Sequence, residues 1–289
     1  MSAFQLLKPA ALKSGPRAPA RGPDGALMYV IGDVHGCADA LQGLLPQIRQ
    51  DEAASPHVGP ARIVFLGDYV DRGPGSREVI DIVLALIAEG RFRVGTLRGN
   101  HDRYLLDVLE DPRHGPGWLD HGGLATLTSY GVAPPRFRHD VEGWMATAEA
   151  LRRRIPQAHR DFLARTALIE IFGDYVLAHA GVRPGVPLDE QTEADLTGIR
   201  RTFYEHPDPA SGRVVVFGHT VFEAPLMTGA VIGLDTGAYA TGRLTALRIF
   251  EDQVALLQSG PARSPADFAP TLKKPPRGGL CHPAASGLD

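Results

Sequence analysis

Residues 67–73 read Gly67-Asp68-Tyr69-Val70-Asp71-Arg72-Gly73 and follow the run Arg62-Ile63-Val64-Phe65-Leu66. A β-branched, apolar run feeding a glycine-bounded polar turn reads as a buried strand that delivers side chains at its carboxyl end, where open α/β sheets bind ligands. Two carboxylates and an arginine crowd that turn. Taken alone it could equally be a surface turn with an Asp–Arg pair, so the rest of the chain must decide.

The same pattern occurs on either side. Upstream, Leu27–Ile31 runs into Gly32-Asp33-Val34-His35-Gly36, and residues 38–50 carry leucines and an isoleucine at helical spacing. After the opening turn, Val79, Ile80, Val83, Leu84 and Ile87 follow the 3.6-residue period, with Ser76 placed to cap the helix start and Gly90 its end. Next, Phe92–Leu97 ends at Arg98-Gly99-Asn100-His101-Asp102, with a further helix expected near Arg103. Three successive strand–turn–helix units imply parallel strands joined by right-handed crossovers, which puts all three polar turns on one sheet edge. Asp33, His35, Asp68, Asp71, Arg72, Asn100 and His101 should therefore converge.

From about 103 to 166, helical segments are broken by prolines and glycines, as in a helical cap beside the site. Its Trp118, Trp144 and Arg152-Arg153-Arg154 read as core aromatics and a solvated charged face rather than a nucleic-acid surface. His114, His121, His139 and His159 are left as surface or supporting residues. Strands resume at 167–172 and 175–178, joined at Gly173-Asp174, and the second runs into His179-Ala180-Gly181. A helix is expected over 190–204. Residues 213–217 form a β-branched strand ending at Gly218-His219-Thr220, and strands over 231–234, 244–250 and 254–257 close the body.

The chain has 289 residues, 44% hydrophobic and 22% charged, enough for a sizeable core. A formal charge of −3 provides no global attraction to nucleic acid or anionic membrane, so affinity for phosphate must be local. Cys37 and Cys281, far apart, do not suggest a disulfide framework, and a reducing cytoplasm is the expected location. No stretch approaches the roughly 20 apolar residues of a membrane span. Residues 1–26 read as a disordered basic arm, 27–258 as the folded body, and 259–289 as a Pro/Gly-rich tail.

The strand-end residues Asp33, His35, Asp68, Asn100, His179 and His219 are carboxylate, amide and imidazole ligands, suited to Mn²⁺, Fe²⁺ or Zn²⁺. Six such ligands exceed the needs of one catalytic metal, and they fit two if Asp68, central among them, bridges. Arg72 and Arg98 can fork onto phosphate oxygens, which implies a phosphate substrate. His101, oriented by Asp71, is placed to protonate a leaving oxygen.

With these motifs in family order, the sequence resembles the phosphoprotein phosphatase branch of the calcineurin-like metallophosphoesterases. The resemblance implies an α/β fold of two mixed sheets in a sandwich flanked by helices. It implies one metal on Asp33, His35 and Asp68, a second on Asp68, Asn100, His179 and His219, and in-line attack by a bridging hydroxide with His101 and Asp71 serving the leaving group. Asn100 also joins the phosphate-binding set. The second phosphate-clamping arginine of the family matches Arg200, with Arg201 and Arg183 as alternatives. Segments His121-Gly122-Gly123, Thr126–Gly131 and Leu234-Asp235-Thr236-Gly237-Ala238 resemble the phage-lambda-like bacterial enzymes. That likeness, with Val70-Asp71, favours a Ser/Thr protein phosphatase or broad phosphomonoesterase acting on a phosphorylated protein or small phosphoester. The alternative is a symmetrical dinucleoside tetraphosphatase or nucleotide pyrophosphohydrolase.

Overall fold

A computed structural model describes residues 20–207 and 212–260. The first half builds three strand–turn–helix units: β1 (Leu27–Ile31) and α1 (Ala38–Ala54), β2 (Arg62–Phe65) and α2 (Ser76–Glu89), β3 (Arg93–Thr96) and α3 (Asn100–Glu110). The cap follows as α4 (Gly115–Asp120), α5 (Gly123–Ser129), α6 (Val141–Arg154) and α7 (Gln157–Ala164). The second half contains β4 (Ile169–Phe172), β5 (Tyr175–Ala178), α8 (Glu193–Gly198), α9 (Arg201–Glu205), β6 (Val214–Phe217), β7 (Leu226–Met227) and β8 (Val231–Gly233). A short α10 (Ala238–Thr241) and the hairpin β9 (Thr245–Phe250) and β10 (Gln253–Gln258) complete it.

The strands form two mixed sheets, ordered β10-β9-β1-β2-β3 and β4-β5-β6-β8-β7. Within the first, β1, β2 and β3 are parallel; within the second, β5, β6 and β8 are parallel. The residues of β1 explain the layering. Met28 and Val30 point into the space between the sheets with Val64, Leu66, Leu177, Val216, Ile232 and Leu247. Leu27, Tyr29 and Ile31 point the other way, against Leu41, Leu44, Val79 and Val83 of the helices. Alternate side chains of one strand thus enter two cores, and each fully buried aliphatic contributes about 1.5–3 kcal/mol through its removal from water. The sheets touch at one edge, where Arg98 N donates to Ala167 O (2.8 Å) and Ala167 N to Thr96 O (2.9 Å).

Several local expectations are revised. Helix α2 is capped by Gly75, not Ser76, whose hydroxyl instead accepts from Asp71 N (3.1 Å). Helix α3 begins at Asn100, three residues early, because the Asp102 carboxylate takes the Gly99 N–H (2.9 Å). The helix expected over 190–204 is broken: Thr192 caps α8 by accepting from Asp195 N, and the extended Ile199 ends it. Strand β7 and helix α10 are too short to show a period.

In the cap, Trp118 and Trp144 are each 1% exposed, as core residues are. Arg152 donates to Leu109 O at the end of α3 (2.8 and 2.5 Å), where a cation meets unpaired helix carbonyls. Residues 20–22 lie against the body, with Gly22 N donating to Glu251 O (2.8 Å) and Arg21 O accepting from Asp174 N (2.8 Å). The rest of the expected arm, 1–19, and the tail from 261 on lie outside the described residues.

Candidate metal centre

Every parallel strand of both sheets ends on one rim, and that rim carries the polar turns. Asp33 and His35 follow β1, Asp68 to Arg72 follow β2, and Arg98 to His101 follow β3. His179 follows β5, His219 follows β6, and Asp235 follows β8. The turns lock to one another through backbone contacts: His35 N donates to Asp68 O (2.8 Å), Gly36 N to Tyr69 O (3.0 Å) and Gly218 N to His179 O (2.8 Å). Packing is tight at Gly99, where any Cβ would collide with the Asp68 carboxylate and amide.

The turns are strained. His35, Asp68, Asp71, Arg72 and His219 all have φ between 44° and 71°, and among the described residues only Glu251 joins them as a non-glycine in that region. Each such residue costs about 1–3 kcal/mol and persists only where its surroundings over-determine it.

Asp68 is common to two clusters of buried groups, one with His35 and His101, the other with His179 and His219. Its Oδ2 lies 3.3 Å from His35 Nε2 and 3.5 Å from His179 Nε2. The hydrogen bonds of the imidazoles assign their tautomers. His35 Nδ1 faces Val70 O (2.9 Å) and His179 Nδ1 faces Leu66 O (2.9 Å), so each Nδ1 must carry the proton and each Nε2 a lone pair. The His179 lone pair then sits 3.1 Å from Asn100 Oδ1, two acceptors with no proton between them.

His35 Nε2, His219 Nε2, Asp33 Oδ1 and Asp235 Oδ2 are buried without a hydrogen-bond partner. Burial pulls the pKa values of His35 and His219 down to about 3, which keeps both imidazoles neutral at physiological pH. Burial, and then the nearby Asp235 and Asp68 carboxylates, push Asp33 well above the usual carboxylate range. Converging lone pairs and mutually repelling carboxylates fit divalent cations, and the oxygen and imidazole donors suit first-row metals.

His101 belongs to the first cluster by distance, but both its nitrogens are engaged. Nδ1 lies 2.8 Å from Asp71 Oδ2, and Nε2 lies 3.0 Å from Arg72 Nη2. Burial lowers its pKa, yet the carboxylates of Asp68 and Asp71 outweigh it and hold the group above its ordinary value. Asp71 is itself fixed: Trp118 Nε1 donates to both its oxygens (3.0 and 2.9 Å), and the Thr126 hydroxyl donates to Oδ1 (2.6 Å).

The arginines separate. Arg72 lies against His101 and stacks over the Tyr239 ring at 4.7 Å. Arg98 is turned toward the start of the second sheet, bonding Thr166 Oγ1 (3.1 Å), Ala164 O (3.1 Å) and Glu193 Oε1 (3.3 Å). Arg200, at the head of α9, is exposed and close enough to His179 and His219 to help lower their pKa values. Arg183 pairs with Asp195, and Arg201 with Glu205 (3.2 Å).

Four residues at this rim had no role in the sequence reading. Asp102 accepts from Asp68 N (2.8 Å), Tyr69 N (2.9 Å) and Gly99 N, so one carboxylate ties two motif turns together. Asp235 aims an unpartnered oxygen into the site; its position just after a predicted strand was the available signal. Trp118 braces Asp71 from the cap. Tyr239 edges onto His35 at 5.5 Å.

Two sheets with six strand ends and a paired histidine–carboxylate cluster at one rim define a metallophosphoesterase architecture. The chain belongs to the calcineurin-like phosphoesterase family, whose profile matches residues 27–225. Among curated proteins it is similar to bis(5'-nucleosyl)-tetraphosphatase PrpE [asymmetrical] of Geobacillus thermodenitrificans, 28% identical over 256 residues that span 83% of this chain and 97% of that protein. The protein of the same name from Anoxybacillus flavithermus is 26% identical, spanning 80% of this chain and 93% of its own length. Among solved structures, a candidate diadenosine tetraphosphatase superposes with a TM-score of 0.56 at 20% identity, covering 85% of this chain and all of the other. A mutant cold-active protein tyrosine phosphatase superposes at 0.52 and 19% identity, covering 81% and 80%. These two likenesses bear on the fold alone.

Proposed function

We propose that this protein is a metal-dependent hydrolase of dinucleoside tetraphosphates that adds water across one phosphoanhydride bond. Cleavage next to a terminal nucleoside would release a nucleoside monophosphate and a nucleoside triphosphate. The observation that carries the substrate is the similarity, over nearly their full lengths, to proteins named asymmetrical bis(5'-nucleosyl)-tetraphosphatases. The Ser/Thr protein phosphatase reading yields to it because the curated relatives of this chain are named as tetraphosphatases. Val70, which favoured it, has a fully buried side chain and offers its carbonyl to His35. The segments around Gly122 and Thr126 hold Arg72 N and Asp71 from behind.

In this reading Asp33, His35, Asp68, Asn100, His179 and His219 hold two divalent metals, with Mn²⁺ the first choice to assay. Bound there, the metals would supply Lewis-acid stabilisation of the phosphoryl group and activation of the nucleophile. The chain's own residues do the rest. Arg72 and Arg200 meet phosphate oxygens with fixed positive charge. Drawing Arg72 onto phosphate releases His101 Nε2, which can then hold a proton for the departing oxygen, with Asp71 keeping the ring in place. Arg98 serves at the rim by joining the turn after β3 to the second sheet.

Chromatographic analysis of diadenosine tetraphosphate digests tests the proposal. AMP and ATP in equal amounts are expected. Two equivalents of ADP would reverse the cleavage position, and turnover of a phosphopeptide with none of the tetraphosphate would overturn the substrate class.

A further inference from the structure

Resting on that reading, we infer that the exposed ring of Tyr239 is the stacking face for the nucleobase of the nucleotide whose phosphate is attacked. Nothing in the phosphoryl chemistry requires an aromatic at this place. Tyr239 is nevertheless 41% exposed, 5.5 Å from the His35 ring and 4.7 Å from the Arg72 guanidinium, so it borders both the metal cluster and a phosphate-binding arginine. A base carried on the ribose of a phosphate held by Arg72 would reach it.

The backbone that carries the ring is also held in place. Helix α10 is only four residues long, yet both its ends are closed by left-handed glycines, Gly237 (φ 65°) and Gly242 (φ 70°). Gly242 N donates to Ala238 O (2.8 Å), and the Thr241 hydroxyl lies 3.0 Å from the carbonyls of Thr236 and Gly237. Gly237 N donates to Asp235 Oδ1 (2.8 Å), which ties the helix to the metal rim. Ala238 is buried beneath. A rigid aromatic loses little freedom when a planar ligand covers it, so binding energy is not spent on ordering it. Nucleobases use such faces without regard to sequence, because every base has a π-surface. The guanidinium over Tyr239 adds a planar cation to the stack.

The test measures AMP and inorganic phosphate as inhibitors of p-nitrophenyl phosphate turnover, together with KM for diadenosine tetraphosphate. Wild type should bind AMP more tightly than phosphate. Tyr239→Ala should weaken AMP about tenfold more than it weakens phosphate, and raise KM for the tetraphosphate by a similar factor with a smaller change in kcat. Tyr239→Phe, which keeps the ring, should restore both. If AMP binds wild type no better than phosphate, or keeps its advantage in Tyr239→Ala, the platform is overturned. Equal weakening of AMP and phosphate also overturns it, since Tyr239 would then merely support Arg72. If the AMP result holds while wild type leaves the tetraphosphate intact, the substrate reading fails and the platform stands for a mononucleotide.

Discussion

Asp68 and Asp71 stand three residues apart in one strained turn, with φ values of 54° and 71°, and face different partners. Asp68 turns one oxygen toward the lone pairs of His35 and His179, and its other oxygen accepts from His101 N (3.0 Å). Asp71 meets only hydrogen-bond donors: His101, Trp118 and Thr126. Removing the charge at 68 leaves the neutral imidazoles without their shared anion. Removing it at 71 leaves the metal donors untouched but deprives His101 of the carboxylate bonded to its Nδ1, one of the two that hold its pKa up. Asp68→Asn should therefore lose bound metal on dialysis along with turnover. Asp71→Asn should retain metal and slow turnover about 100-fold, the scale of one proton-transfer group. Elemental analysis beside kcat separates them, and equal metal loss in both would refute the division. The residue types of this turn were readable from its sequence, but the division of labour became visible only through neighbours 30 to 111 positions away.

At the scale of elements, α4 and α5 are the brace for that turn. Trp118 reaches Asp71 from α4, Thr126 reaches it from α5, and Arg72 N donates to Gly122 O between them (3.2 Å). Both helices are too short to stand alone in water, so they exist because the indole is buried against the body. Trp118→Phe keeps most of the packing and deletes the N–H. We expect the variant to retain its metal and its melting cooperativity, while kcat falls about tenfold as Asp71 loosens, as for other residues that orient a functional group. An unchanged kcat would show that Thr126 alone suffices. The sequence placed these residues in a helical cap beside the site. Their grip on Asp71 has no sequence period and so left no signal.

At the scale of the molecule, the two sheets and their helices bury four tyrosines. Tyr175 has its pKa pushed up to about 12, chiefly by burial, and Tyr29, Tyr69 and Tyr130 are also raised chiefly by burial. The native state thus keeps phenol protons that the unfolded chain releases above about pH 10. Above that pH the unfolded state binds fewer protons, and stability falls as pH rises from about 10 through about 12. Melting temperatures at pH 9, 10 and 11 should drop across the last interval. Phenolate absorbance from these buried rings should rise together with loss of helical circular dichroism. Their ionisation in a chain that keeps its native spectrum would contradict the burial.

By itself the sequence determined the strand-and-turn rhythm of the first half and the convergence of the turns after β1, β2 and β3, because β-branched runs and helical periods are local properties. It also supplied the donor chemistry that the proposed metal site would use, since the residue types at strand ends are visible without coordinates. The tertiary structure shows where the arginines rest, Arg98 against Thr166 and Arg200 near His179. It likewise brought Asp235 to the rim, Trp118 behind Asp71 and Tyr239 beside Arg72. Those placements depend on how the second sheet and the cap pack against the first, and packing between segments distant in the chain imposes no period on either one.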